Sequence, residues 1–273
     1  MTAPTSLSIV SYLAPNGFWF YQAVAAHLQQ VLGIQVQLSE SRFDPLDDPD
    51  LINDRIDLAL ICGLPFIRQY QQAPLYQPLV APIMQSARYA DRPVYFSDVI
   101  VRASSGIKSF DALADKTFCY NDPGSNSGYN LPCYHLIQKG YSPIFFGSVW
   151  QSGSHQRSIQ AVITGEADWA AIDSTVLEQE LRTVPEFAHQ LRVIESISPC
   201  PMPPMIVAQR LGGTLIEHIR TALLNPGDSL KHTMTQAGIQ RYEPVSVERY
   251  QELADAYEAV LKAGYASILA AAS

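Results

Sequence analysis

Four residues, Ser125-Asn126-Ser127-Gly128, carry the strongest chemical signal in the chain. They stand between a strand-like run, 117–120, and a helix-like run beginning near Gly128, so the sequence predicts a polar loop at a helix N-terminus. A loop of this kind can hold an anion. The first N–H groups of a helix lack internal partners, the helix dipole is positive there, and short hydroxyl or amide side chains add donors beside the backbone. Gly124 and Gly128 leave room for tight turns and for close approach of a ligand. The same residues would equally serve as a plain N-cap, a position that favours Ser and Asn.

His155 lies in Gly153-Ser154-His155-Gln156-Arg157, ahead of a helix predicted over 158–164. Alone at such a place a histidine is a capping or surface residue, because the dipole disfavours its cation; beside an oxyanion the imidazole can donate. Arg157 is a solvated charge or an anion partner. Tyr95, on a β-rich segment, is a core aromatic or a hydroxyl donor to a ligand. A catalytic set can be written as Ser127, His155 and Asp173, or around Cys119 or Cys133. No GxSxG elbow accompanies either, and HExxH, Walker and GxGxxG motifs are absent from the sequence. Binding without chemistry is the stronger expectation, with no cofactor and no metal.

The elements that must position these residues alternate. A strand over 7–12, a turn at 14–17, a helix over 18–32 ended by Gly33, a strand over 34–38 and an apolar run at 57–61 indicate an α/β sheet. Cys62-Gly63-Leu64-Pro65 closes that run ahead of a further helix. The plan returns about 110 residues later, where Asp168-Trp169-Ala170-Ala171-Ile172 echoes Asp57-Leu58-Ala59-Leu60-Ile61. Two related lobes are the reading: lobe 1 from residues 1–97 and 203–273, lobe 2 from 98–202. Two passages join them, the β-rich 93–102 and the proline-rich 198–204, whose prolines argue against regular structure. The tail from 211 onward reads as helices, the last capped by Ser246, packing on the first lobe. In open α/β sheets ligands bind outside the carboxyl ends of strands, which adds Tyr12 and Asp173 to the candidate residues.

Composition narrows the function classes. A chain of 273 residues with 47% hydrophobic content has enough apolar material for two modest cores. Its formal charge of −8, with no basic run, argues against nucleic acid and anionic membranes, so any anion must be caught locally. No apolar run is long enough for a membrane span. The first basic residue is Arg42, so the N-terminus lacks the charged region of a secretory leader; the expectation is a periplasmic or lipid-anchored protein if a leader was removed, and a cytosolic one if Met1 is native. Cys62, Cys119, Cys133 and Cys200 have no zinc-site spacing and are expected as free thiols, with a Cys119–Cys133 bridge as the alternative.

The sequence from Asp122 to Tyr129, with Pro132 behind it, resembles the DP-x-S-x-S-G-[YFL] loop of phosphonate- and phosphite-type substrate-binding proteins of ABC importers. Tyr95-Phe96-Ser97-Asp98-Val99-Ile100-Val101 is similar to that family's hinge strand. Ser105-Gly106-Ile107 with Phe110-Asp111-Ala112-Leu113, and Gly153-Ser154-His155 with Ala161-Val162, Gly165 and Asp168, occur in the family's order. The resemblance implies a type II periplasmic-binding fold that captures a small phosphorus oxyanion and delivers it to an ABC permease. It also implies that Tyr95, Ser125, Asn126, Ser127, Gly128 and His155 hold the anion, Asn126 standing where the family often has Thr. In one respect the chain departs from the family. Aminoalkylphosphonate binders carry acidic residues for the ligand ammonium where this chain has Cys200-Pro201-Met202-Pro203-Pro204 and Thr175. The implied ligand is therefore phosphite, phosphate or a small alkylphosphonate. The alternative is a cytosolic enzyme or sensor on the same fold, with Asp173 or His155 as its base.

Overall fold

A computed structural model of the chain describes residues 5–265. The strands are β1 (Ser6–Ser11), β2 (Gln35–Glu40), β3 (Leu58–Leu60), β4 (Tyr76–Met84), β5 (Val94–Arg102), β6 (Thr117–Tyr120), β7 (Ser148–Gln151), β8 (Trp169–Asp173), β9 (Leu191–Pro201), β10 (Met205–Ala208) and β11 (Ile239–Pro244). They form two sheets, ordered β11-β4-β10-β3-β1-β2 and β7-β6-β8-β5-β9. The described residues divide into two compact units: one runs to Val94 and resumes over Pro201–Gln251, and the other comprises Tyr95–Cys200 and the described residues from Glu252 onward.

Each sheet is built on the same core. In the first unit β1 is flanked by parallel β2 and β3, and β10 runs antiparallel to β3. In the second, β6 is flanked by parallel β7 and β8, and β5 runs antiparallel to β8. The repeated aspartates explain their spacing. Asp57, just before β3, accepts a bond from the backbone N–H of Ser8 in β1 at 2.7 Å, and Asp168, just before β8, accepts one from Thr117 in β6 at 2.8 Å. Each carboxylate thus satisfies a backbone donor near the start of the central strand.

In the first unit Leu7, Ile9, Leu58 and Ile61 are buried, as are Val24 and Leu28 on the helix Phe18–Leu32. Gly33 ends that helix at φ 66°, its N–H donating to the Gln29 carbonyl. In the second unit Trp169 of β8 stacks on Phe118 of β6 with ring centroids 4.1 Å apart, both rings fully buried. Gly147 closes the turn before β7, its N–H donating to the Lys116 carbonyl. A Cβ at Gly147 would fall 2.3 Å from the Asp115 carbonyl oxygen, a backbone atom that cannot swing aside. Gly147→Ala is therefore expected to cost about 1–3 kcal/mol, read as a lower denaturation midpoint; an unchanged midpoint would contradict this close approach.

Four expectations require correction. The helix Gly63–Gln72 includes Gly63, Leu64 and Pro65 rather than starting after them, because in the first turn a proline gives up only an N–H that has no helical partner. Pro199 and Pro201 lie within β9, which prolines permit because β9 is the edge strand of its sheet. The chain passes between the units three times rather than twice, at Val94–Tyr95, Cys200–Pro201 and Gln251–Glu252, so that Tyr95, Phe96 and Ser97 stand in the second unit. The third passage takes most of the helix Gln251–Lys262 into the second unit instead of the first. Tyr265 anchors it there. Its carbonyl accepts from the Tyr129 hydroxyl at 2.7 Å and its own hydroxyl donates to the Tyr141 carbonyl at 3.1 Å. Apolar spacing on that helix signals a buried face but not the surface that covers it.

Candidate functional site

After β6 the chain turns through Asn121-Asp122-Pro123-Gly124 and enters Ser125 in an extended conformation. Ser125 caps the next turn: its Oγ accepts from the Gly128 N–H at 3.0 Å. Asn126–Asn130 then form one π-helical turn, with the Asn130 N–H donating to the Ser125 carbonyl at 3.0 Å, before the α-helix Leu131–Gln138. The expected helix start near Gly128 thus lies earlier and is wider, a form of turn that recurs at functional sites. Gly128 does not sit at a positive φ; it makes room for a side chain. A Cβ there would fall 1.7 Å from Asn121 Oδ1 and 3.1 Å from Ser125 Oγ.

Six of the predicted residues form bonded contacts through this turn, Ser125 with Gly128, Asn126 with Tyr95 and Ser127 with His155. Asn126, fully buried, donates from Nδ2 to the Tyr95 hydroxyl at 2.6 Å and accepts at Oδ1 from Asn130 Nδ2 at 3.0 Å. Its amide therefore holds Tyr95 in place. Ser127 is 4% exposed, and its Oγ lies 3.1 Å from His155 Nε2. Its carbonyl accepts from the Ser97 hydroxyl at 2.7 Å. Ser97 is not among the residues expected at the site, although the period-2 pattern puts it on the same face of β5 as Tyr95.

His155 opens the helix His155–Thr164, three residues earlier than the helix predicted there, and is itself buried. Ser154 caps that helix, accepting from the Arg157 N–H at 3.2 Å, while Ser152 Oγ bonds the Tyr120 carbonyl and Ser158 Oγ to fasten the turn to β6. His155 Nδ1 is buried without a hydrogen-bond partner. Burial alone pushes its pKa down to about 4, so the imidazole is neutral at physiological pH. Arg157 is exposed.

Asp173, at the end of β8, sits opposite Ser97 in the β5–β8 register. It caps the helix Ser174–Thr183, accepting from the Thr175 N–H at 2.8 Å and the Thr175 hydroxyl at 2.7 Å. Burial raises its pKa to about 6 against the opposing pull of those bonds. Tyr12 belongs to the first unit, where its hydroxyl donates to Asp48 at 2.7 Å. The hydrolytic alternative loses its geometry here. Ser127 and His155 are adjacent, but no carboxylate bonds His155 Nδ1 and Asp173 is engaged in capping. Cys119 and Cys133 do not form a disulfide with each other, and burial pushes both thiols up, away from the reactive thiolate. Among the described residues there is no cluster of three or more potential metal ligands, and no helix is long and apolar enough to cross a membrane.

The second unit presents a set of neutral hydroxyl, amide and imidazole groups gathered at two helix N-termini. Residues 15–250 match the family of periplasmic substrate-binding proteins of phosphonate ABC transporters. The chain belongs to this family. Its members are substrate-binding components rather than enzymes. The Phosphonates-binding periplasmic protein of Escherichia coli (strain K12) is 30% identical over 140 residues, which cover 50% of this chain and 41% of that protein. The match thus spans less than half the length of this curated relative. Among solved structures, a binding protein component of an ABC phosphonate transporter from Pseudomonas aeruginosa superposes with a TM-score of 0.81 at 18% identity, covering 96% of this chain and 88% of that one. PhnD1 from Prochlorococcus marinus, in complex with methylphosphonate, gives 0.82 at 17% identity, covering 95% and 99%. These likenesses establish the type II periplasmic-binding fold for this member of the phosphonate family.

Proposed function

We propose that the protein captures a small phosphorus oxyanion, such as phosphite, phosphate or an alkylphosphonate, and presents it in the periplasm to an ABC permease. The observation that carries this reading is the Ser127–His155 contact at 3.1 Å, two neutral side chains at adjoining helix N-termini. Ser127, the N–H groups of the turn around Gly128 and His155 supply donors, which offset the desolvation of an oxyanion without a fixed positive charge. Ser125 and Asn126 set the shape of the turn. Tyr95, held by Asn126, and Asp173 border the same turn. The E. coli relative and the methylphosphonate-bound structure support the choice of ligand class.

A thermal-shift panel tests the reading. Phosphite, phosphate, methylphosphonate, 2-aminoethylphosphonate, sulfate and acetate are each added to the purified protein. One phosphorus oxyanion at about 100 times its Kd is expected to stabilise the fold by about 2.7 kcal/mol, with 2-aminoethylphosphonate weaker for want of a carboxylate within Cys200-Pro201-Met202-Pro203-Pro204 or near Thr175. Stabilisation by acetate alone, or by none of the six, would reject the proposal.

A further inference from the structure

The contacts of His155 suit a neutral imidazole. One ring nitrogen of His155 pairs with Ser127 Oγ at 3.1 Å and the other, Nδ1, is buried without a partner. A deprotonated phosphorus oxygen only accepts, so each group that faces one must donate. If Ser127 turns its O–H toward the anion, it can no longer donate to Nε2; the ring then donates from Nε2, and a neutral ring keeps its lone pair on Nδ1, buried without a partner. A proton on both ring nitrogens keeps the donor at Nε2 and places a cation beside the anion.

Resting on the function proposed above, we infer that an oxyanion bound at Ser127 draws a proton from solvent onto His155, so that anion and proton are captured together. The surroundings of His155 leave this role to the ligand. The titratable and charged groups on the elements around it are Asp122 in the turn after β6, Tyr129 in the turn that carries Ser127, Cys119 and Tyr120 on β6, Asp173 on β8, Tyr95, Asp98 and Arg102 on β5 and Arg157 on its own helix. None of them contributes to the low pKa of the empty-state ring, whose sole cause is burial. Asp173 spends its carboxylate on Thr175. The missing countercharge is the anion itself. It reverses the effect of burial, and by linkage a proton preferred in the complex must tighten binding as pH falls.

Calorimetric titration of the intact protein with methylphosphonate, in pairs of buffers that differ in ionisation enthalpy, reads the protons taken up. At about pH 5, above the empty-state pKa and where the ligand carries a single charge, uptake approaching one proton per ligand is expected, with affinity falling toward tenfold per pH unit at higher pH. His155→Gln, which can donate an N–H but does not titrate, is expected to bind more weakly with no uptake. Wild-type binding without uptake at about pH 5 overturns the inference and leaves the oxyanion site standing. So does equal uptake by His155→Gln. Absence of binding by methylphosphonate, phosphite and phosphate alike overturns the function on which it rests. Should the variant not fold, the wild-type uptake alone decides.

Discussion

Replacing Ser127 by alanine is expected to weaken capture of a phosphorus oxyanion by roughly 10- to 100-fold. A hydrogen bond to a charged group is worth about 1.5–3 kcal/mol, and each 1.4 kcal/mol is about tenfold in affinity. Ser127 is buried, so bulk water does not readily replace the lost donor. The empty protein is also expected to lose about 1–3 kcal/mol, because His155 Nε2 would be left buried without its hydroxyl partner. Affinity and melting temperature measured on the same sample separate the two effects. Ser97→Ala, which removes the donor to the Ser127 carbonyl, provides the comparison: it disturbs the placement of the turn but leaves the Ser127 hydroxyl in place. A Ser127→Ala variant that binds within about threefold of wild type would show that the hydroxyl does not face the ligand.

The second large effect is on stability as a function of pH. The folded-state pKa of His155 is lowered to about 4, against an ordinary value near 6.5 for an exposed histidine. A lowered value means that the unfolded chain binds the proton more tightly. The contribution of this residue is therefore fully present above pH about 6.5 and is lost as pH falls through about 4. Complete loss amounts to about 3 kcal/mol, from 1.36 kcal/mol per pH unit of separation. Asp173 runs the other way. Its raised pKa of about 6 favours the folded state at low pH, and that contribution is lost as pH rises through about 6. The two partly cancel in the wild type, so the measurable quantity is the difference in unfolding free energy between wild type and His155→Gln. That difference is expected to shift by about 3 kcal/mol against the wild type between pH about 7 and the acid limit, in denaturant titrations of the ligand-free proteins. A difference that stays constant with pH would mean that the ring is not buried in neutral form.

Much of this site is legible in the sequence because short-range chemistry defines it. Ser125 caps the turn through its own hydroxyl, Ser154 caps the next helix, and both are set by residue type and spacing. The aspartates before β3 and β8 announce the repeat because each binds the backbone of its neighbouring strand. Less legible is whatever depends on partners remote in sequence. Nothing near Asn126 shows that its amide is engaged by Tyr95, 31 residues away. Gly128 reads as a place for a ligand, whereas the atom that needs the space is Asn121 Oδ1. Asp173 reads as a cleft carboxylate, yet Thr175, two residues on, already marks it as a cap. Within β4, Pro78 and Pro82 obscure a strand of nine residues.

The most direct measurement is a crystal structure of the protein grown with methylphosphonate. The account predicts phosphonate oxygens within hydrogen-bonding distance of Ser127 Oγ, a backbone N–H of the turn at Asn126–Asn130 and a ring nitrogen of His155. A phosphonate bound elsewhere, with the Ser127–His155 contact intact at its present 3.1 Å, would contradict it.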